Sequence, residues 1–159
     1  MSVIIRKGEL KDARGIFLLI NQLAKFENEP DAVEVTIEDI KNDGFGDHPK
    51  FEVFVAELNE ELIGMALFYY RYSTWKGKTL HLEDLIVKET ARGNGVGKLL
   101  YNEVLKFAHQ QKLKRVEWAV LNWNTPAVNF YENSGAVVFD DWRVVQMSQE
   151  QLKNYIDSI

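Results

Sequence analysis

The order of apolar patterns along this chain predicts an α/β (α+β) fold, with a mixed sheet covered by helices on both faces. Three observations carry that reading. Branched and aromatic runs of strand length recur at residues 3–6, 51–58, 62–72, 80–87, 116–121, 137–139 and 142–147. Segments with apolar residues three and four apart lie between them and at the end, giving the order β-α-α-β-β-β-α-β-α-β-β before a terminal helix. The 159 residues, 46% hydrophobic, supply one core and are too few for two ordinary domains. Residues 1–159 are therefore expected to form a single domain.

Each element has a local reason. Ala13, Ile16, Phe17, Ile20, Leu23 and Ala24 recur at helical spacing, which predicts an amphipathic helix over residues 10–26. Thr36 followed three residues later by Asp39 predicts a capped start, and Gly44 a stop, for a short helix over 35–44. Residues 59–61 read as the turn between two paired strands. Thr125-Pro126 opens a helix, because proline is welcome at the first helical position, and Gly135 closes it. Residues 137–139 and 142–147 are expected to close the sheet as a hairpin. Ser148 and Gln151 then cap the terminal helix.

The stretch LHLEDLIVKETARGNGVGKLL, residues 80–100, organises the rest. It starts as an apolar strand holding two adjacent carboxylates, Glu83 and Asp84. It turns at residues 88–91 and passes through Arg92-Gly93-Asn94-Gly95-Val96-Gly97 into a helix with apolar positions at Val96, Leu99, Leu100, Val104 and Phe107. A glycine-rich turn entering a helix points unpaired N–H groups outward, and the peptide dipoles favour an anion there. The dinucleotide pattern G-x-G-x-x-G fails because Lys98 stands where the third glycine belongs. The Walker pattern fails as well, with Leu99 in place of Ser or Thr and Arg92 in place of the first glycine. What remains is Arg92-x-x-Gly95-x-Gly97 after a strand, which on its own also suits an ordinary strand-to-helix turn.

These residues resemble the R/Q-x-x-G-x-G/A turn of the GNAT superfamily of N-acetyltransferases. Farther along, Asn124-x-x-Ala127-x-x-Phe130-Tyr131 followed by Gly135-Ala136 is similar to the family's second signature. The order of elements matches too. The resemblance implies the GNAT fold, a mostly antiparallel sheet with a splayed and bulged central strand. It also implies acetyl-CoA as co-substrate, with its pyrophosphate on the backbone of Arg92, Gly93, Asn94, Gly95, Val96, Gly97 and Lys98. Leu85, Val87, Asn124 and Tyr131 are expected to complete the cofactor site. Within the superfamily the chain most resembles the diamine acetyltransferases that act on spermidine, spermine and thialysine. That likeness rests on residues 23–27 and 43–49, Trp75-x-Gly77-Lys78, Leu82-Glu83-Asp84 and Trp123-Asn124-x-Pro126. It implies an amine site containing Phe26, Glu27, Trp75, Glu83 and Asp84, and a homodimer. Phe26 stands where the polyamine enzymes typically carry Tyr.

Composition narrows the partners. With no cysteine, disulfides, thiolate metal sites and a cysteine acyl-enzyme are excluded. His48, His81 and His109 lack ligand spacing, so no metal is expected and each reads as a surface or packing residue. A net charge of −5 argues against nucleic acid and suits a cationic ligand. Eight acids against one base, Lys41, between Glu27 and Asp47 point the same way, although solvated surface explains most of them. No N-terminal signal or membrane-length apolar run is present, so a soluble, cytoplasmic protein is expected.

The chemistry has two proton transfers to manage. A primary amine with a pKa of ~10.4 is mostly protonated at neutral pH and cannot attack a thioester until it loses a proton. Glu83 and Asp84 are the acidic pair in the central strand, and the resemblance points to Glu83 as the base. Neighbours in a regular strand face opposite sides, so both acids can line one site only at a bulge. Tyr131 is the candidate acid for the departing thiolate. A backbone N–H near Leu85 is the expected donor to the developing oxyanion. Three readings stay open: an acetyl-CoA-dependent N-acetyltransferase for a small di- or polyamine or lysine-like amine, a GNAT enzyme acting on a protein lysine or N-terminus, and a catalytically silent CoA-binding domain.

Overall fold

The computed structural model describes residues 2–159 and divides the chain into two compact units, one ending at Ala119 and one starting at Val120. In the first unit β1 (Ile4–Lys7), β2 (Glu52–Leu58), β3 (Glu61–Ser73), β4 (Gly77–Val87) and β5 (Val116–Glu117) form one sheet in the order β1-β2-β3-β4-β5. The first four strands are antiparallel, and only β5 joins in parallel. The helices of this unit are α1 (Ala13–Phe26), α2 (Ile37–Phe45) and α3 (Val96–Gln110).

Strand alternation places the core on both faces of the sheet. Phe54, Ala56, Phe68, Leu80 and Leu82 pack with Val96, Leu100 and Val104 of α3. Val53, Val55, Met65, Leu67 and Ile86 pack with Ile16 and Leu19 of α1 and Ile40 of α2. The period-two flip along residues 53–56 is what lets one strand feed both layers.

Local signals mostly hold. Thr36 Oγ1 accepts from the Asp39 N–H at 3.1 Å, and the Asp39 carboxylate accepts from the Thr36 N–H at 2.8 Å. Asn59 and Glu60 both have positive φ, 52° and 66°, the two-residue turn whose twist suits a hairpin. Three expectations for the first unit need correction. Residues 10–12 form a 3₁₀ turn, so α1 begins at Ala13. Gly44 does not stop α2, which runs to Phe45; a Cβ on Gly44 would sit 2.5 Å from the Phe51 ring, so close packing explains that glycine. The strand expected over 116–121 is paired only at Val116 and Glu117, where it meets Leu80 and His81 just before β4 bulges.

The second unit holds α4 (Thr125–Asn133) and α5 (Gln149–Ile156). Gly135 takes φ 96°, and the Ala136 N–H returns to the Tyr131 carbonyl at 3.2 Å, the glycine-dependent close of α4. Ser148 and Gln151 form the expected capping box. The hairpin expected over 137–147 is absent: these residues carry no strand pairing. Alternating apolar residues supply strand propensity but no ladder partner, and a lone hairpin is marginal in water. No helix of the described residues is long and apolar enough to cross a membrane.

Candidate active site

The site grows from an irregularity in β4. Leu82 faces the α3 layer and Ile86 the α1 layer, although residues four apart in a regular strand share a face. One extra residue resolves the conflict. Phe68 of β3 pairs with Leu82 and the next residue back, Leu67, pairs with Asp84, so Glu83 is the bulged residue. Glu83 and Asp84 thereby line a single cleft of about 280 Å³, walled by Ile20, Ile40 and Leu67. Asp39 and Asp43 of α2 reach the same cleft, with Asp39 engaged by Thr36 and Asp43 paired with Lys50 at 2.8 Å.

The acids disturb one another. Burial, together with the charges of Glu83 and Glu27, pushes the Asp84 carboxyl up to about 7. Burial and then the Glu83 charge raise the Glu27 carboxyl as well. Glu27, the residue just beyond α1, is thus brought into the electrostatic reach of the bulge. Asp84 and Glu27 therefore resist ionisation, and a cation entering near them relieves that cost. Glu83 Oε2 accepts a hydrogen bond from the Tyr69 hydroxyl at 2.9 Å, and His81 Nε2 lies 3.3 Å from the same oxygen.

At the other end of β4 the glycine turn has the shape an anion needs. Gly93 and Gly95 have φ 79° and 75°, in the left-handed region, and a Cβ at either would meet nothing within 4 Å. Gly95 begins α3 with no side chain capping the helix, so its first N–H groups face open space. The Arg92 side chain braces the turn by donating from Nε to the Val87 carbonyl at 3.1 Å. Asn94 Nδ2 bonds to the Ala91 and Arg92 carbonyls, both at 3.3 Å. Leu85 and Val87 pack against the α3 core between bulge and turn. This cradle of left-handed glycines and uncapped amides fits a pyrophosphate.

The remaining predicted residues are placed individually. Phe26, the last residue of α1, lies under Arg92, with the guanidinium carbon 5.0 Å from the ring centre. Trp75 sits in the β3–β4 turn and is 83% exposed. Eight residues separate it from Glu83, about 25 Å along an extended strand, so this chain does not bring its own Trp75 to the carboxylates. Asn124 caps α4, its Oδ1 accepting from the Ala127 N–H at 3.4 Å. Tyr131 is buried in α4 with its ring edge-on to Phe130.

Sequence reasoning missed Tyr69 and His81. Reading His81 as a packing residue captures its ring contact with Tyr69, 5.3 Å between centres, and overlooks its approach to Glu83. The spacing held a signal, since residues 81 and 83 share a face of a strand. Tyr69 had none, because its opposition to His81 depends on register.

Residues 17–136 match the profile of the acetyltransferase (GNAT) family. A thialysine N-epsilon-acetyltransferase from Sus scrofa is 36% identical over 143 residues, 85% of this chain and 84% of that protein. A spermidine/spermine N(1)-acetyltransferase-like protein 1 from Homo sapiens is 33% identical over 158 residues, 93% of this chain but 23% of that longer protein. Two solved structures share the fold. An integron cassette protein from the mobile metagenome of V. cholerae matches with a TM-score of 0.80 at 21% identity, over 98% of each chain. An aminoglycoside acetyltransferase from an uncultured soil metagenomic sample matches with a TM-score of 0.76 at 17% identity, over 92% of this chain and 95% of the other.

Proposed function

Since the chain belongs to the acetyltransferase (GNAT) family, we propose that it is an acetyl-CoA-dependent N-acetyltransferase for a small di- or polyamine or lysine-like amine. The observation that carries the substrate class is the carboxyl cluster of Glu27, Glu83 and Asp84 beside an apolar-walled cleft. Carboxylates take the ammonium groups and the apolar wall takes the alkyl chain between them. The two relatives named for thialysine and for spermidine/spermine support the same class.

In this reading residues 1–159 act as one acetyltransferase domain in the cytoplasm. The glycine turn from Arg92 to Lys98 holds the pyrophosphate, with Asn124 on the pantetheine. Glu83 takes a proton from the substrate ammonium, the freed amine attacks the thioester carbonyl, and Tyr131 returns a proton to the thiolate. With no cysteine, direct attack in a ternary complex is the simplest route. Glu27 and Asp84 hold the distal cation, and binding strengthens as pH rises through about 7 and Asp84 ionises. Trp75 belongs to the amine site by resemblance and is distant within one chain, which supports a homodimer in which a second copy supplies it. Sedimentation showing only an 18.4 kDa species at micromolar concentration would refute the dimer.

The deciding assay mixes the protein with acetyl-CoA and a panel comprising diamines, spermidine, thialysine, lysine and lysine peptides, then titrates released thiol. Release with the small diamines or thialysine is expected. Release only with peptides would move the reading to protein acetylation, and none with any amine would leave a silent CoA-binding domain.

A further inference from the structure

Glu83 is held by one oxygen. The Tyr69 hydroxyl donates to Oε2 at 2.9 Å, and His81 Nε2 approaches that same Oε2 at 3.3 Å. Tyr69 and His81 face each other across the β3–β4 ladder, and their rings meet at a 38° tilt with centres 5.3 Å apart. The two side chains therefore form one rigid wall against which the bulged carboxylate is pressed. Among the described residues no hydrogen bond or ion pair is seen at Oε1.

His81 is itself constrained. Its Nδ1 is buried and has no hydrogen-bond partner among the described residues. Protonating that nitrogen would bury an N–H without an acceptor, which is costly. The tautomer that avoids this carries its hydrogen on Nε2, aimed at Glu83. Charged and titratable groups surround the pair. On β4 these are Glu83 and Asp84, on β3 Tyr69 and Arg71, and on β5 Glu117, which pairs with Arg71 at 2.7 Å and Arg115 at 3.1 Å. Glu27, beyond α1, acts on the same acids.

We propose that Tyr69 and His81 are the positioning residues of the reaction: together they pin Glu83 Oε2 and leave Oε1 as the oxygen that receives the amine proton. The proton leaves the substrate N–H bond, whose electron pair stays on nitrogen, and forms an O–H bond at Oε1. A hydrogen bond donated to a carboxylate favours its charged form, so removing either donor disfavours that form. The proposal rests on Glu83 being the base.

His81→Phe keeps the ring contact and removes the donor, whereas His81→Gln restores an N–H near the Nε2 position. His81→Phe should lower kcat by about tenfold with the KM for acetyl-CoA unchanged, and move the acidic limb of kcat/KM to higher pH. His81→Gln should recover most of the rate and the wild-type limb. Tyr69→Phe should shift the limb in the same direction, which covers the case of a misfolded His81 variant. In a Glu83→Gln background the His81→Phe effect should disappear. A large loss in Glu83→Gln with unshifted pH profiles in both His81→Phe and Tyr69→Phe would overturn the positioning role alone. Near-normal activity in Glu83→Gln would instead remove the base on which it rests.

Discussion

Asp84→Asn tests the acid cluster through stability, independently of any assay for catalysis. In the folded chain the Asp84 carboxyl rises from its ordinary 3.8 to about 7, through burial and the charges of Glu83 and Glu27. Below pH 4 the carboxyl is neutral in folded and unfolded chains alike and contributes nothing. Between pH 4 and 7 the unfolded chain releases the proton while the folded chain keeps it, so stability falls as pH rises. Above about 7 both states are ionised and the full penalty is present. Each tenfold in proton affinity is worth about 1.4 kcal/mol, so the rise from 3.8 to about 7 corresponds to about 4 kcal/mol. Asparagine has the same shape and no charge, and the Asp84 side chain makes no hydrogen bond among the described residues that the change would remove. Urea unfolding at pH 4.5, 6 and 8, followed by tryptophan fluorescence, should show the variant gaining on the wild type steadily, by about 3–4 kcal/mol at pH 8. The same variant should bind a diamine more weakly at pH 8 despite its greater stability. A stability difference constant across the three pH values would show that the Asp84 carboxyl titrates normally and is not strained by its neighbours.

The other predictions concern separate parts of the molecule. At Gly95 any side chain is strained by the positive φ, so the phosphate seat is better tested at Gly97, where a Cβ would meet only a Val87 methyl at 3.6 Å. Gly97→Val should change stability by no more than about 1 kcal/mol and raise the KM for acetyl-CoA about tenfold; an unchanged KM in the folded variant would remove the seat. Tyr131→Phe should cut kcat by about 10²–10⁴-fold with little change in acetyl-CoA affinity, read under single-turnover conditions so that product release does not mask the step. Asp12→Asn should break the fork from Arg6, whose nitrogens lie 2.7 and 3.0 Å from the carboxylate, and destabilise the fold by about 2 kcal/mol. Burial pushes the Asp12 carboxyl up, but the Arg6 hydrogen bond and charge and the Glu9 N–H hold it below its ordinary value. That stabilisation is present above pH 4 and lost as pH falls below it, so variant and wild type should converge in acid.

Local chemistry was readable wherever it was self-contained. The capping pairs Thr36–Asp39 and Ser148–Gln151 depend on residues three apart. The left-handed glycines at 93 and 95 close a turn between a strand and a helix that both declare themselves. Gly44 misled because a glycine that ends a helix and one that admits a neighbouring ring look alike in sequence. The segment 137–147 misled because propensity was present without a partner.

The sequence by itself determined the strand and helix periods of the first 119 residues, the glycine turn, the carboxylate pair and the absence of thiol chemistry. Those properties follow from residue type and short spacing. Only the tertiary structure decided how the acids are used. Leu82 and Ile86 are claimed by opposite cores, and that competition extrudes Glu83, turns Asp84 into the same cleft and sets Tyr69 and His81 on one oxygen. The proton affinity of Asp84 is likewise decided by residues far apart in the chain, with Glu27 arriving from the end of α1. Burial and charge act through distance in space, and folding alone fixes that distance.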